Sequence, residues 1–121
     1  MGGFLSSRTS GNSEGVAMAV SKAKEIVSSN PVVVFSKTYC PYCVQVKQLL
    51  SNLGANFKVV ELDVESDGSD MQSALEEWTG QWTIPNVFIG GKHVGGCDAC
   101  VATHKKGELV PMLTKVGAVA E

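Results

Sequence analysis

No stretch of this 121-residue chain approaches the roughly 20 consecutive apolar residues that a membrane-spanning helix requires. It has no basic run or arm, and its formal net charge is −2. Nothing electrostatic therefore points to nucleic acid. The N-terminus lacks a basic region followed by a long apolar core, so no secretory leader is expected and a cytoplasmic location is. Structural disulfides are rare in that compartment. No internal repeat or second hydrophobic pattern appears, and the length fits one domain with a modest core. The four cysteines are then expected to be catalytic or metal-binding rather than staples.

What is present centres on Thr38-Tyr39-Cys40-Pro41-Tyr42-Cys43. The apolar run before it, Pro31-Val32-Val33-Val34-Phe35, suits a buried strand because β-branched residues fit a pleated core. The segment after it places Val46, Leu49, Leu50 and Leu53 on one helical face. Two cysteines thus sit where a strand hands over to a helix. A helix start carries unpaired N–H groups and about half a positive charge. A sulfur anion is stabilised there. Cys40, at the first turn, is the expected nucleophile, and Cys43 lies close to one helical turn further on, within sulfur reach. Pro41 suits the first helical position, where its missing N–H costs nothing. Lys37 adds positive charge nearby.

Residues 1–14 are rich in Gly and Ser, and a flexible tail is expected there, with one folded domain over 15–121. Met1-Gly2-Gly3-Phe4-Leu5-Ser6 matches the M-G-x-x-x-[ST] pattern. If Gly2 is myristoylated, one chain gives weak, reversible membrane attachment; otherwise the segment is a disordered leader. Val16, Ala19, Val20, Ala23, Ile26 and Val27 predict a helix that ends at Asn30-Pro31. The helix that opens at the cysteines stops near Gly54, and Phe57 to Leu62 forms a second strand. A third helix from Asp67 to Gly80 turns Met71, Leu75 and Trp78 inward. Asn86-Val87-Phe88-Ile89 and Lys92-His93-Val94 flank Gly90-Gly91 as a hairpin. The remainder is helical, broken near Gly107, with Val110, Leu113 and Val116 facing the core. Strand, helix, strand, helix and hairpin give an α/β, thioredoxin-like arrangement: a four-stranded mixed sheet flanked by helices on both faces.

Four blocks carry a family likeness: Ser36-Lys37-Thr38-Tyr39-Cys40-Pro41-Tyr42-Cys43, Trp78-Thr79-Gly80-Gln81, Thr83-Ile84-Pro85-Asn86-Val87-Phe88-Ile89, and Gly90-Gly91-Lys92-His93-Val94-Gly95-Gly96-Cys97-Asp98. In order and spacing the chain resembles a dithiol glutaredoxin, most like those of plants. The resemblance implies a glutathione-dependent reductase, mainly monomeric, of protein–glutathione mixed disulfides and protein disulfides. It implies Cys40 as attacking thiol and Cys43 as resolving thiol. Lys37 and Tyr42 would line the glutathione groove, with Gln81 near the glycine carboxylate. Pro85 would be cis, presenting the Ile84 backbone to the glutathione cysteine. Gly96, Cys97 and Asp98 would meet the γ-glutamyl end.

Other readings stand beside this one. Cys97-Asp98-Ala99-Cys100 is a second CxxC, but its separation from the first far exceeds the roughly 15–20 residues of zinc ribbons. Cys100 reads as a buried small hydrophobe, able otherwise to pair with Cys97 under oxidation. Cys97 reads as a groove residue whose helix-start position would favour ionisation. Some members of the resembling family bridge a [2Fe–2S] cluster between two subunits through the nucleophile, here Cys40, and two glutathiones. Pro41, where such members tend to carry Gly or Ser, stands against that. Lys37 and the Gly-Gly-Cys-Asp block stand against a general thioredoxin-type reductase. His93 and His104 have no evident partner and are not expected to be catalytic. Trp82 would flank the groove, and Asp63, Glu65, Asp67 and Asp70 read as a solvated acidic turn.

Overall fold

The computed structural model describes residues 5–119. The elements run α1 (Leu5–Ser29), β1 (Val32–Ser36), α2 (Pro41–Asn52), β2 (Lys58–Glu61), α3 (Gly68–Thr79), β3 (Asn86–Ile89), β4 (Lys92–Gly95), α4 (Cys97–Lys105) and α5 (Leu109–Lys115). The strands form one sheet in the order β2-β1-β3-β4. β1 pairs parallel with β2, and β1–β3 and β3–β4 are antiparallel, so the mixed four-stranded sheet is as expected.

β1 is central, and all five of its residues are buried. Successive side chains of a strand point to opposite faces. Val32 and Val34 accordingly join Val87 and Ile89 against Val46, Leu50, Leu109 and Leu113 from α2 and α5. Val33 and Phe35 join Phe88 on the other face, against Ala23 and Val27 of α1 and Met71 and Leu75 of α3. Phe35 meets Phe88 edge-on at 5.9 Å, and Phe88 stacks on Trp78 at 4.8 Å. Each such side chain contributes about 1.5–3 kcal/mol by leaving water. Helices cover both faces. Gly68 opens α3 so close to β2 that a Cβ there would lie 1.7 Å from the carbonyl oxygen of Leu62.

Two expectations need correction. α1 begins at Leu5, so residues 5–14 are helical rather than a flexible tail. Once Val16–Ser29 is anchored on the sheet, each further residue adds a hydrogen bond without a new nucleation cost. The Gly2 motif itself lies outside the described residues. In α5, Leu109 and Leu113 take the core face at i, i+4 spacing, which turns Val110 out to 40% exposure. No helix among the described residues is long and apolar enough to cross a membrane.

Candidate active site

The sheet delivers the cysteines. β1 ends at Ser36, and a turn closed by the Cys40 N–H on the Lys37 carbonyl, 3.2 Å, leads into α2. Cys40 is the N-cap of α2, with extended backbone, and Pro41 is the first helical residue. An N-cap side chain accepts from the free N–H groups of the first turn. Here the acceptor is sulfur: Cys40 Sγ takes the Cys43 N–H at 3.2 Å. An anionic Cys40 would strengthen that bond. Cys40 is partly exposed, whereas Cys43 is fully buried. Burial, with the hydrogen bond to Cys40 second, pushes the Cys43 thiol up to about 11. The pair is therefore asymmetric: an accessible thiol in front and a protonated one behind it. No two of the four cysteines are joined by a disulfide in this structure.

Beside Cys40 lies an open cavity of about 710 Å³. Of the groove residues expected from sequence, Tyr42, Gln81, Ile84, Pro85, Gly96, Cys97 and Asp98 line it. Lys37 does not line it; it sits half-buried in the preceding turn. Cys40 is not a lining residue either, but its Sγ is 3.9 Å from the carbonyl oxygen of Ile84, which is. The Ile84–Pro85 bond is cis, as expected. The loop before it is held by Gln72 of α3, which donates to the Trp82 carbonyl at 3.0 Å, leaving the Trp82 ring 48% exposed.

Gln81 lines the cavity, and it also braces the wall. Its Nε2 donates to the carbonyls of Thr83, 2.9 Å, and Pro85, 3.0 Å. Both amide protons are used on the cis-proline loop. On the far side, Gly95 turns β4 into α4 with φ +121, a conformation that L side chains rarely adopt. Gly96 then caps α4 without a side-chain bond, which leaves the first-turn N–H groups uncapped at the cavity.

Cys97 departs from expectation. It is 7% exposed and its thiol donates to Gln45 Oε1 at 3.2 Å. Burial, then the charge of Asp98 and the nearby Cys40, pushes it up, the reverse of the effect expected from a helix start. Cys100 is in the core, and burial pushes it up to about 12. Among the described residues, no group of three or more His, Cys, Asp or Glu side chains is placed to hold a metal.

Three groups here escaped sequence reasoning. Thr83 and His93 line the cavity. The Nε2 of His93 is 2.8 Å from Oδ1 of the buried Asn86, which directly follows Pro85, and burial pushes the imidazole down. Asp63 is exposed, as expected of a turn residue, and in addition accepts the Thr38 N–H at 3.0 Å and the Thr38 hydroxyl. The hairpin pattern could have placed His93 next to β3. Asp63 had no local signal, because its partner is 25 positions away.

An exposed thiol capping a helix, a buried thiol one turn later and a cis-proline loop, all on this sheet, define a thioredoxin-like dithiol oxidoreductase. A family model described as Glutaredoxin matches residues 32–94. The chain is 71% identical over 102 residues to a glutaredoxin of Ricinus communis, covering 84% of this chain and all of that one. It is 71% identical over 103 residues to glutaredoxin-C2 of Arabidopsis thaliana, covering 85% and 93%. The crystal structure of a buckwheat glutaredoxin–glutathione complex superposes with TM-score 0.88 at 59% identity, over 89% of this chain and 98% of that one. The chain belongs to the glutaredoxin family, whose members are thiol–disulfide oxidoreductases.

Proposed function

We propose that this protein is a glutathione-dependent oxidoreductase that reduces protein–glutathione mixed disulfides, and some protein disulfides, with Cys40 attacking and Cys43 resolving. The observation that carries the reading is the position of Cys40 Sγ. It is bonded to the Cys43 N–H at 3.2 Å and stands 3.9 Å from a cavity-lining carbonyl. The buckwheat relative, solved as a glutathione complex, supports the choice of tripeptide.

The cavity suits a peptide with two carboxylates and one amine. The uncapped start of α4 at Gly96, Cys97 and Asp98 offers N–H groups to the γ-glutamyl carboxylate. Asp98 offers a counter-charge to the amine. The Ile84 backbone, beside cis-Pro85, pairs with the cysteinyl residue in strand fashion. Lys37 and Tyr42 serve the glycine end, with Lys37 swinging from its turn and Gln81 supporting the wall.

In the first step the Cys40 thiolate attacks the glutathione sulfur of the mixed disulfide. A Cys40–glutathione bond forms, the original S–S bond breaks, and the target leaves as a thiolate that takes a proton from water. A second glutathione thiolate then attacks the bound glutathione sulfur, releasing oxidised glutathione and restoring Cys40. With a protein disulfide, Cys43 loses its proton and attacks Cys40 of the mixed disulfide, closing Cys40–Cys43 and expelling the target thiol. Deglutathionylation assays on single variants test this. Cys40→Ser is expected to abolish turnover, and Cys43→Ser to leave much of it. Equal loss in both would remove the monothiol step.

A further inference from the structure

Asp63 lies outside the cavity and outside both CxxC motifs, yet the fold carries it to the loop that bears Cys40. The parallel pairing of β1 and β2 brings Ser36 opposite Glu61, and the Leu62 N–H extends the ladder onto the Ser36 carbonyl at 2.8 Å. Asp63 therefore emerges beside Thr38. Its two carboxylate oxygens are both used there, Oδ1 on the Thr38 N–H at 3.0 Å and Oδ2 on the Thr38 hydroxyl. Thr38 is the second residue of the turn closed by Cys40 N–H to Lys37 carbonyl. The Thr38 bonds, with the charge of Lys37 close by, hold the Asp63 carboxyl below its ordinary range.

The same strand end grips the other side of the motif. Glu61 Oε2 pairs with Lys47 of α2 at 2.7 Å, and both side chains are about three-quarters withdrawn from solvent. Residues 61–63 thus hold the active-site segment before Cys40 and after Cys43.

We propose that Asp63 is a positioning residue for the oxidoreductase reaction, fixing the Lys37–Cys40 turn so that Cys40 Sγ stays aligned on the Cys43 N–H. This rests on Cys40 being the attacking thiol. Carboxylate hydrogen bonds are roughly twice as strong as neutral ones, and they hold the loop without touching the substrate. Misplacing a reacting atom by about 1 Å costs up to about a hundredfold in rate.

The test compares Asp63→Ala, Asp63→Asn and Cys40→Ser in mixed-disulfide turnover, with kcat and KM separated. The pH profile of Cys40 alkylation is recorded as well, well below each melting midpoint. Asp63→Asn keeps an acceptor for the Thr38 N–H and a partner for its hydroxyl. The expected result is a roughly tenfold fall in kcat for Asp63→Ala with little change in KM, and a return to within about threefold for Asp63→Asn. Cys40 alkylation should be slower in Asp63→Ala across that profile and recover in Asp63→Asn, a rescue that a purely structural role would not produce. Wild-type kcat and profile in Asp63→Ala, or equal loss in Ala and Asn, overturns the assignment to Asp63. Retained turnover in Cys40→Ser overturns the nucleophile reading instead.

Discussion

Two CxxC motifs open two helices on the same side of this sheet, and their cysteines are set very differently. At α2 the first cysteine is the N-cap, partly exposed, followed by proline and with no acid in the first turn. At α4 the first cysteine is a helical residue behind a glycine cap, buried, and followed by Asp98. Cys40 Sγ accepts the Cys43 N–H and its thiol donates only a long bond to the Ile84 carbonyl, 3.9 Å, whereas the Cys97 thiol donates to Gln45 Oε1 at 3.2 Å. Spacing and helix position are shared. Cap geometry, exposure and the neighbouring charge differ, and at Cys97 burial and the Asp98 charge oppose ionisation.

The comparison breaks most visibly under substitution. Cys40→Ser should lower turnover by at least about a thousandfold, while Cys97→Ser, which keeps the bond to Gln45, should change it by less than about threefold. Steady-state assays of both variants check this. Comparable losses would make the second motif part of the chemistry.

Next in size is native-state labelling. Cys100, 1% exposed, should resist iodoacetamide at least about a hundredfold longer than Cys40, giving way only when the chain opens. Site-resolved mass spectrometry reads the ratio.

Alkaline stability sharpens the same contrast. Cys43 and Cys100 are raised from 9.0 to about 11 and about 12 in the folded state. A group raised on folding stabilises fully below its unfolded value, and that stability is lost as pH rises through the folded value. Wild-type stability should therefore decline between pH 9 and 12 relative to Cys100→Val, which has no thiol to ionise there. Parallel denaturant midpoints across that window would count against the burial argument.

The smallest effect is expected at Asp98. Asp98→Asn removes one of the charges that oppose Cys97 ionisation, so Cys97 alkylation should quicken a few-fold while Cys40 alkylation stays unchanged. An unchanged Cys97 would leave burial as the whole cause.

Much of this was legible in the residues themselves. The β-branched run Val32–Phe35, the proline after Cys40 and the Gly90-Gly91 hairpin report local rules of strand, helix start and turn. They located the sheet and the helix that opens at Cys40; the seven cavity-lining residues came from the family resemblance. What escaped depends on distance through space. Gln81 spends its amide on carbonyls of a loop whose path no local rule supplies. Cys97 lies at a helix start, as read, yet its burial and Asp98 reverse the expected direction. Asp63 is one acid among four in sequence and a clamp only because a parallel strand delivers it. The N-terminal stretch of α1 shows how a helix anchored downstream extends through residues without apolar periodicity of their own.

The most direct measurement is the rate of Cys40 alkylation in Cys43→Ser, with Cys97 read in the same spectra. The account predicts that Cys40, partly exposed, is labelled at least about tenfold faster than the buried Cys97 at every pH from 6 to 8. A Cys97 rate that matches that of Cys40 would contradict the account.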